Sequence, residues 1–115
     1  EMVRLGVRLG ANPNTFFGLS GMGDLVTTCF SAHGRNLRVG RELGEGKTIE
    51  EILGSMEMVA EGVDSAKSVK QLCDKVDLEL PIMGEVYNIV HEGKNARQAV
   101  MDLLARDAHE EWKQY

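Results

Sequence analysis

The chain has 115 residues, of which 43% are apolar, enough for one domain with a single modest core. Its formal net charge is −5, with the excess acid downstream of Arg41, which disfavours a general nucleic-acid or anionic-membrane surface. No apolar run approaches the roughly 20 residues that span a bilayer, and no charged-apolar-small run of the signal-peptide kind opens the sequence.

Residues 2–9 already have helical apolar spacing, with no capping residue ahead of them, so the chain reads as a fragment that begins inside a helix. Met2, Val3, Leu5, Val7 and Leu9 on that helix call for apolar partners. The helix should end near Leu9, at Gly10-Ala11-Asn12-Pro13, and Asn14 to Phe17 suits a short helical turn. Gly18 to Gly23 reads as a flexible loop, after which Asp24 can cap a short helix through Cys29. Ser31 to Gly34 breaks the chain, and a helix over 35–43 ends at Gly44-Glu45-Gly46.

Thr48 with Glu51 has the spacing of a capping box and opens a helix to about Gly54. A longer helix over 63–76 puts Val63, Ala66, Val69, Leu72, Cys73 and Val76 on one face. Pro81 suits the first turn of the next helix, which stops at Gly93, and Asn95 can cap a last one to about Leu104. The tail beyond Arg106 is polar, with Trp112 and Tyr115 read as surface anchors. No alternating strand pattern competes, so the expected fold is all-α, a compact orthogonal bundle of about six or seven short helices in a single domain over 1–115. Cys29 and Cys73 lack CxxC spacing and read as reduced, mostly buried thiols.

The stretch with most chemistry is Gly18-Leu19-Ser20-Gly21-Met22-Gly23-Asp24-Leu25-Val26-Thr27-Thr28-Cys29, followed by Gly34-Arg35-Asn36. Asp24 is the only acid between residues 2 and 41, a span that holds five arginines and no lysine. The glycines are spaced G-x-x-G-x-G with no strand before them, so they do not make a dinucleotide loop; close backbone approach is a better use. Asp24 and Thr28 are four apart and share one face if the segment is helical. Arg35 and Asn36 follow a glycine at an expected helix N-terminus, where free N–H groups and the helix dipole favour an anion. Arg35 adds a bidentate fork and Asn36 neutral donors, while Arg38 and Arg41 read as a solvated basic face. His33, His91 and His109 have neither HxxxH nor HExxH spacing, so no metal site is expected.

The pattern GxGDLxxTC, then RN, resembles the substrate loop of the bacterial NAD(P)-dependent glycerol-3-phosphate dehydrogenase family. The resemblance extends over Val59-Ala60-Glu61-Gly62, Leu80-Pro81-Ile82 and Gly93-Lys94-Asn95-Ala96-Arg97, where Lys94 and Arg97 read as solvated. It implies the substrate-binding C-terminal part of such an enzyme, all-helical and akin to the C-terminal domain of 6-phosphogluconate dehydrogenase. It also implies a separate N-terminal Rossmann domain that binds most of the NAD or NADP, a cytoplasmic homodimer, and a role in phospholipid synthesis. The substrates implied are sn-glycerol 3-phosphate and dihydroxyacetone phosphate.

By the same resemblance Asp24 and Thr28 would be catalytic, and Asp24, Gly34, Arg35 and Asn36 would bind substrate. Arg35, Val59 and Glu61 would touch the cofactor. Gly34 stands where the family pattern has serine, so a hydroxyl donor is lost there and the Gly34 backbone N–H could partly replace it. The competing reading is a helical oligomerisation or sugar-phosphate-binding module without redox chemistry, with Asp24 and Glu61 as capping acids; under either reading no nucleic-acid, membrane or metal partner is expected.

Overall fold

The computed structural model describes residues 1–107; Trp112, Tyr115 and His109 lie outside them. Helices account for all regular structure among the described residues: α1 Met2–Arg8, α2 Pro13–Phe17, a π-helical turn Leu19–Gly23, α3 Asp24–Phe30, α4 Arg35–Gly44, α5 Ile49–Gly54, α6 Glu61–Val76, α7 Pro81–His91 and α8 Ala96–Leu104. The all-α expectation holds, with eight α-helices where six or seven were expected.

Several boundaries follow from single side chains. Asn12 accepts from the Asn14 N–H and, with Pro13 at the first helical position, starts α2. Thr48 and Glu51 form the full capping box of α5. Asn95 accepts from the Arg97 and Gln98 N–H groups to start α8. After α6 the chain reverses through Asp77, at φ 51°, a left-handed conformation that aspartate tolerates. The Leu78 N–H then closes on the Cys73 carbonyl at 3.0 Å.

Two expectations for the first third are corrected. Residues 19–23 are a π-helical turn, not a loose loop, and that turn runs straight into α3. Asp24 is therefore the first residue of α3, not its cap, and its side chain makes no capping bond. Its own N–H already reaches the Leu19 and Gly21 carbonyls, so the winding supplies what a cap would have supplied.

The core lies among α4, α5 and the start of α6. Ile52 is fully buried against Val39 and Ala60, with Leu43, Ile49, Met56 and Val63 packed around them. Burying a side chain of that size contributes about 1.5–3 kcal/mol. α6 turns Ala66 and Cys73 inward against α7, and burial pushes the Cys73 thiol pKa up. Cys29 is exposed on α3, so only one of the two thiols is buried.

Lys94 is not solvated as expected. It is half-buried between α7 and α8, 2.7 Å from the Glu85 carboxylate and 2.6 Å from that of Asp102. Hydrogen bonds to Asp102 first and Glu85 second hold its pKa above the usual lysine value.

Candidate functional site

The centre of the candidate site is the first turn of α4. Gly34 is its N-cap residue and offers no side-chain cap, so the leading N–H groups of the helix face outward with the positive end of its dipole. The Gly34 N–H donates to the Ser31 carbonyl at 2.9 Å. It thus closes the turn that leads into α4. A Cβ on Gly34 would stand 3.1 Å from the Ser31 carbonyl oxygen, so the turn has closed tightly on this glycine.

Arg35 and Asn36 reach across to the segment before α6. Arg35 Nη1 donates to the Val59 carbonyl at 2.9 Å, and the Gly62 N–H donates to Asn36 Oδ1 at 3.1 Å. These two bonds bring together residues that lie 24 and 26 positions apart in the chain. Ala60, between them, is fully buried against Ile52 and Val39, which roots the 59–62 segment in the core. The Val59 side chain faces solvent, so Val59 contributes its carbonyl. Glu61 is exposed in the first turn of α6, where the helix dipole favours a carboxylate, and it makes no capping bond. His91 Nε2 lies 2.8 Å from the Val63 carbonyl oxygen and ties the end of α7 to this same turn.

Beside α4 opens a cleft of about 430 Å³, lined in part by His33, Gly34, Arg35, Arg38, Ser55 and Glu57. Arg38, read as solvated, is exposed but engaged: it bonds Glu42 at 2.7 Å and the Ser55 hydroxyl at 3.0 Å. Glu42 also takes Lys47 at 2.8 Å. The Arg38 hydrogen bond first, and that of Lys47 second, hold the Glu42 carboxyl below the usual range. Arg38 is thus balanced by an acid, whereas Arg35 has no carboxylate partner among the described residues.

Asp24 and Thr28 share α3, as the four-residue spacing requires, and both are exposed. No hydrogen bond or ion pair joins their side chains to α4 among the described residues. The closest approach runs through backbone, since the Thr28 carbonyl oxygen is 3.5 Å from where a Cβ on Gly34 would sit. Sequence reasoning missed Gly62. The available signal was a glycine in a helical first turn, a costly choice that asks for a neighbour at close range.

The fold is that of an all-α domain, with Arg35 and Asn36 at the start of α4, Val59 and Glu61 on the segment bonded to it, and Asp24 and Thr28 apart on α3. The chain belongs to the NAD-dependent glycerol-3-phosphate dehydrogenase C-terminus family, whose profile matches residues 1–101. It is 52% identical over 107 residues to a glycerol-3-phosphate dehydrogenase (NAD(P)+) of Geobacter sulfurreducens, covering 93% of this chain and 32% of that protein. The corresponding protein of Myxococcus xanthus is 54% identical over 111 residues, 96% of this chain and 33% of its own length. A crystal structure of glycerol-3-phosphate dehydrogenase from Coxiella burnetii superposes with a TM-score of 0.87 at 38% identity, over 91% of this chain and 32% of that one. The chain therefore spans about a third of the length of the relatives it matches. These matches do not favour the oligomerisation or non-redox module.

Proposed function

We propose that this chain is the substrate side of an enzyme that interconverts sn-glycerol 3-phosphate and dihydroxyacetone phosphate with NAD(P)(H). The observation that carries the reading is the pairing of Arg35 and Asn36 with residues 59–62. One helix end holds donors for a phosphate, and the segment bonded to it, which runs into α6, carries the acid suited to a cofactor hydroxyl.

In this reading the α4 N-terminus, Arg35 and the Asn36 amide clamp the substrate phosphate. Arg35 keeps donors to spare, since only Nη1 is used on Val59. Fixing the phosphate places the carbonyl carbon and turns a bimolecular encounter into an oriented one. Asp24 orients the reacting hydroxyl or the group that exchanges its proton, and Thr28 lies one turn further along the same face. Gly34 would meet substrate only through backbone atoms.

These groups suit a nicotinamide cofactor: Glu61 is an exposed acceptor for its hydroxyls, with no partner among the described residues, and Arg35, bonded to the Val59 carbonyl through Nη1, keeps further donors. When bound, the cofactor supplies the hydride. No dinucleotide fingerprint and no lysine before Lys47 occur in this sequence. The nucleotide-binding domain, and the group that exchanges the substrate proton beside Asp24, belong in this proposal to the rest of a longer protein. A cytoplasmic homodimer supplying glycerol 3-phosphate for phospholipid synthesis completes it.

The test is NADH or NADPH oxidation with dihydroxyacetone phosphate. A protein of the relatives' length containing this chain should turn over, and the chain alone should not. Turnover by the 115-residue chain alone, or none by the longer protein, would overturn the division of labour.

A further inference from the structure

We propose that Gly62 is a positioning residue, one that locks the Asn36 amide with Oδ1 inward and Nδ2 available as a donor to a phosphate. A backbone N–H can only donate, so the amide atom facing Gly62 must be the oxygen. Turning the amide over would set two donors against each other and break the 3.1 Å bond. Nδ2 has no partner among the described residues, and it is the half of the amide that suits an anion. A freely rotating asparagine would present its oxygen lone pairs to phosphate oxygens for part of the time, which is repulsive.

The lock needs glycine. A Cβ at position 62 would stand 2.8 Å from Asn36 Cγ and Oδ1 and 3.0 Å from Nδ2. The amide therefore lies flat on the bare Gly62 backbone. Any side chain there would lift it off and free its rotation. The Arg35 bond to Val59 and the buried Ala60 keep the segment from retreating. Gly62 thus sets the donor character of the α4 N-terminus without touching the ligand.

This inference rests on the proposed phosphate seat, and inorganic phosphate is the probe that separates the two. The protein is the longer enzyme containing this chain; the variants are Gly62→Ala, Asn36→Ala, their double, and Asn36→Asp. Gly62→Ala should weaken phosphate binding, and raise KM for dihydroxyacetone phosphate, about tenfold, with a much smaller change in kcat. The double variant should be no worse than Asn36→Ala, because both changes break one device.

Asn36→Asp keeps an acceptor for the Gly62 N–H, so it should melt like the wild type. It should nevertheless bind phosphate about a hundredfold more weakly, having exchanged a donor for a negative charge. If Gly62→Ala fails to fold, Asn36→Asp decides by that pairing of normal melting with lost phosphate. Wild-type phosphate binding in Gly62→Ala, multiplying effects in the double, or lowered melting in Asn36→Asp would each overturn the lock. An enzyme inactive on dihydroxyacetone phosphate that still shows this phosphate pattern would sink the substrate reading and leave the lock standing.

Discussion

The two halves of the described chain are built on different principles. From Val39 to Ala99, helices α4–α8 bury Val39, Ile52, Ala60, Ala66, Cys73, Leu80, Val90 and Ala99. Before Gly34, Gly21 is the only buried residue, and Leu19 and Phe30 are 91% and 85% exposed. What shapes the first half is close backbone approach. A methyl group added to Gly6 would collide with the Phe16 ring, and one added to Gly21 with the Phe16 backbone. The half is moored by polar ties: Arg4 Nη2 donates to the Glu79 carbonyl at 2.9 Å, and the Glu1 carboxylate accepts from the Ile82 and Met83 N–H groups at the start of α7. The same division runs through the candidate site. Arg35 and Asn36 sit on the packed half, and Asp24 and Thr28 on the exposed one. The start of α4 is held by a core of its own, whereas Asp24 and Thr28 stand on a face with little of its own behind it.

Three measurements test this division. Ile52→Ala should cost about 2–5 kcal/mol of unfolding free energy, because its cavity opens at the centre of the packed half. Leu19→Ala should stay within about 0.5 kcal/mol, since that side chain meets water already. Equal losses in denaturant titration would mean that the halves are not distinct. Next in size is Asp24→Asn in the longer enzyme. Turnover should fall about 10- to 100-fold while stability barely moves, since Asp24 neither caps α3 nor packs. A melting shift without a kinetic one would reduce Asp24 to a structural group.

The smallest effect is one of pH. Arg38 and then Lys47 hold Glu42 below the usual 4.5, so the folded chain binds this proton less readily than the unfolded chain. The stabilisation is complete above 4.5 and is lost as pH falls through the depressed folded value. Glu42→Gln should flatten this part of the acid limb of a stability–pH curve. An unchanged limb would show that the ion pairs are screened to insignificance.

Legibility in the sequence followed the same divide. The capping box at Thr48–Glu51, the cap Asn95 and Pro81 at a helix start are local chemistry, and their spacing is sufficient to read them. The turn at 19–23 was misread because a π-helical turn has no 3.6-residue apolar period, and three glycines in six residues resemble a loop. Asp24 reads as a cap for the same reason, since the π-helical turn before it winds straight into α3. Lys94 looked solvated because the acids that hold it, Glu85 and Asp102, come from two different helices. Around α4 the sequence named Arg35, Asn36, Val59 and Glu61 as candidates, but the bonding of Arg35 to Val59 and of Asn36 to Gly62 is a tertiary fact without a sequence spacing.

The central claim is that the α4 N-terminus is a phosphate seat and not merely a basic face. Its most direct test is kcat/KM for dihydroxyacetone phosphate in the longer enzyme carrying Arg35→Ala or Arg38→Ala. The account predicts a loss on the order of 2–4 kcal/mol, 30- to 1000-fold, for Arg35→Ala. For Arg38→Ala, whose charge is already met by Glu42, it predicts a change within about threefold. Small and equal effects from the two substitutions would contradict it.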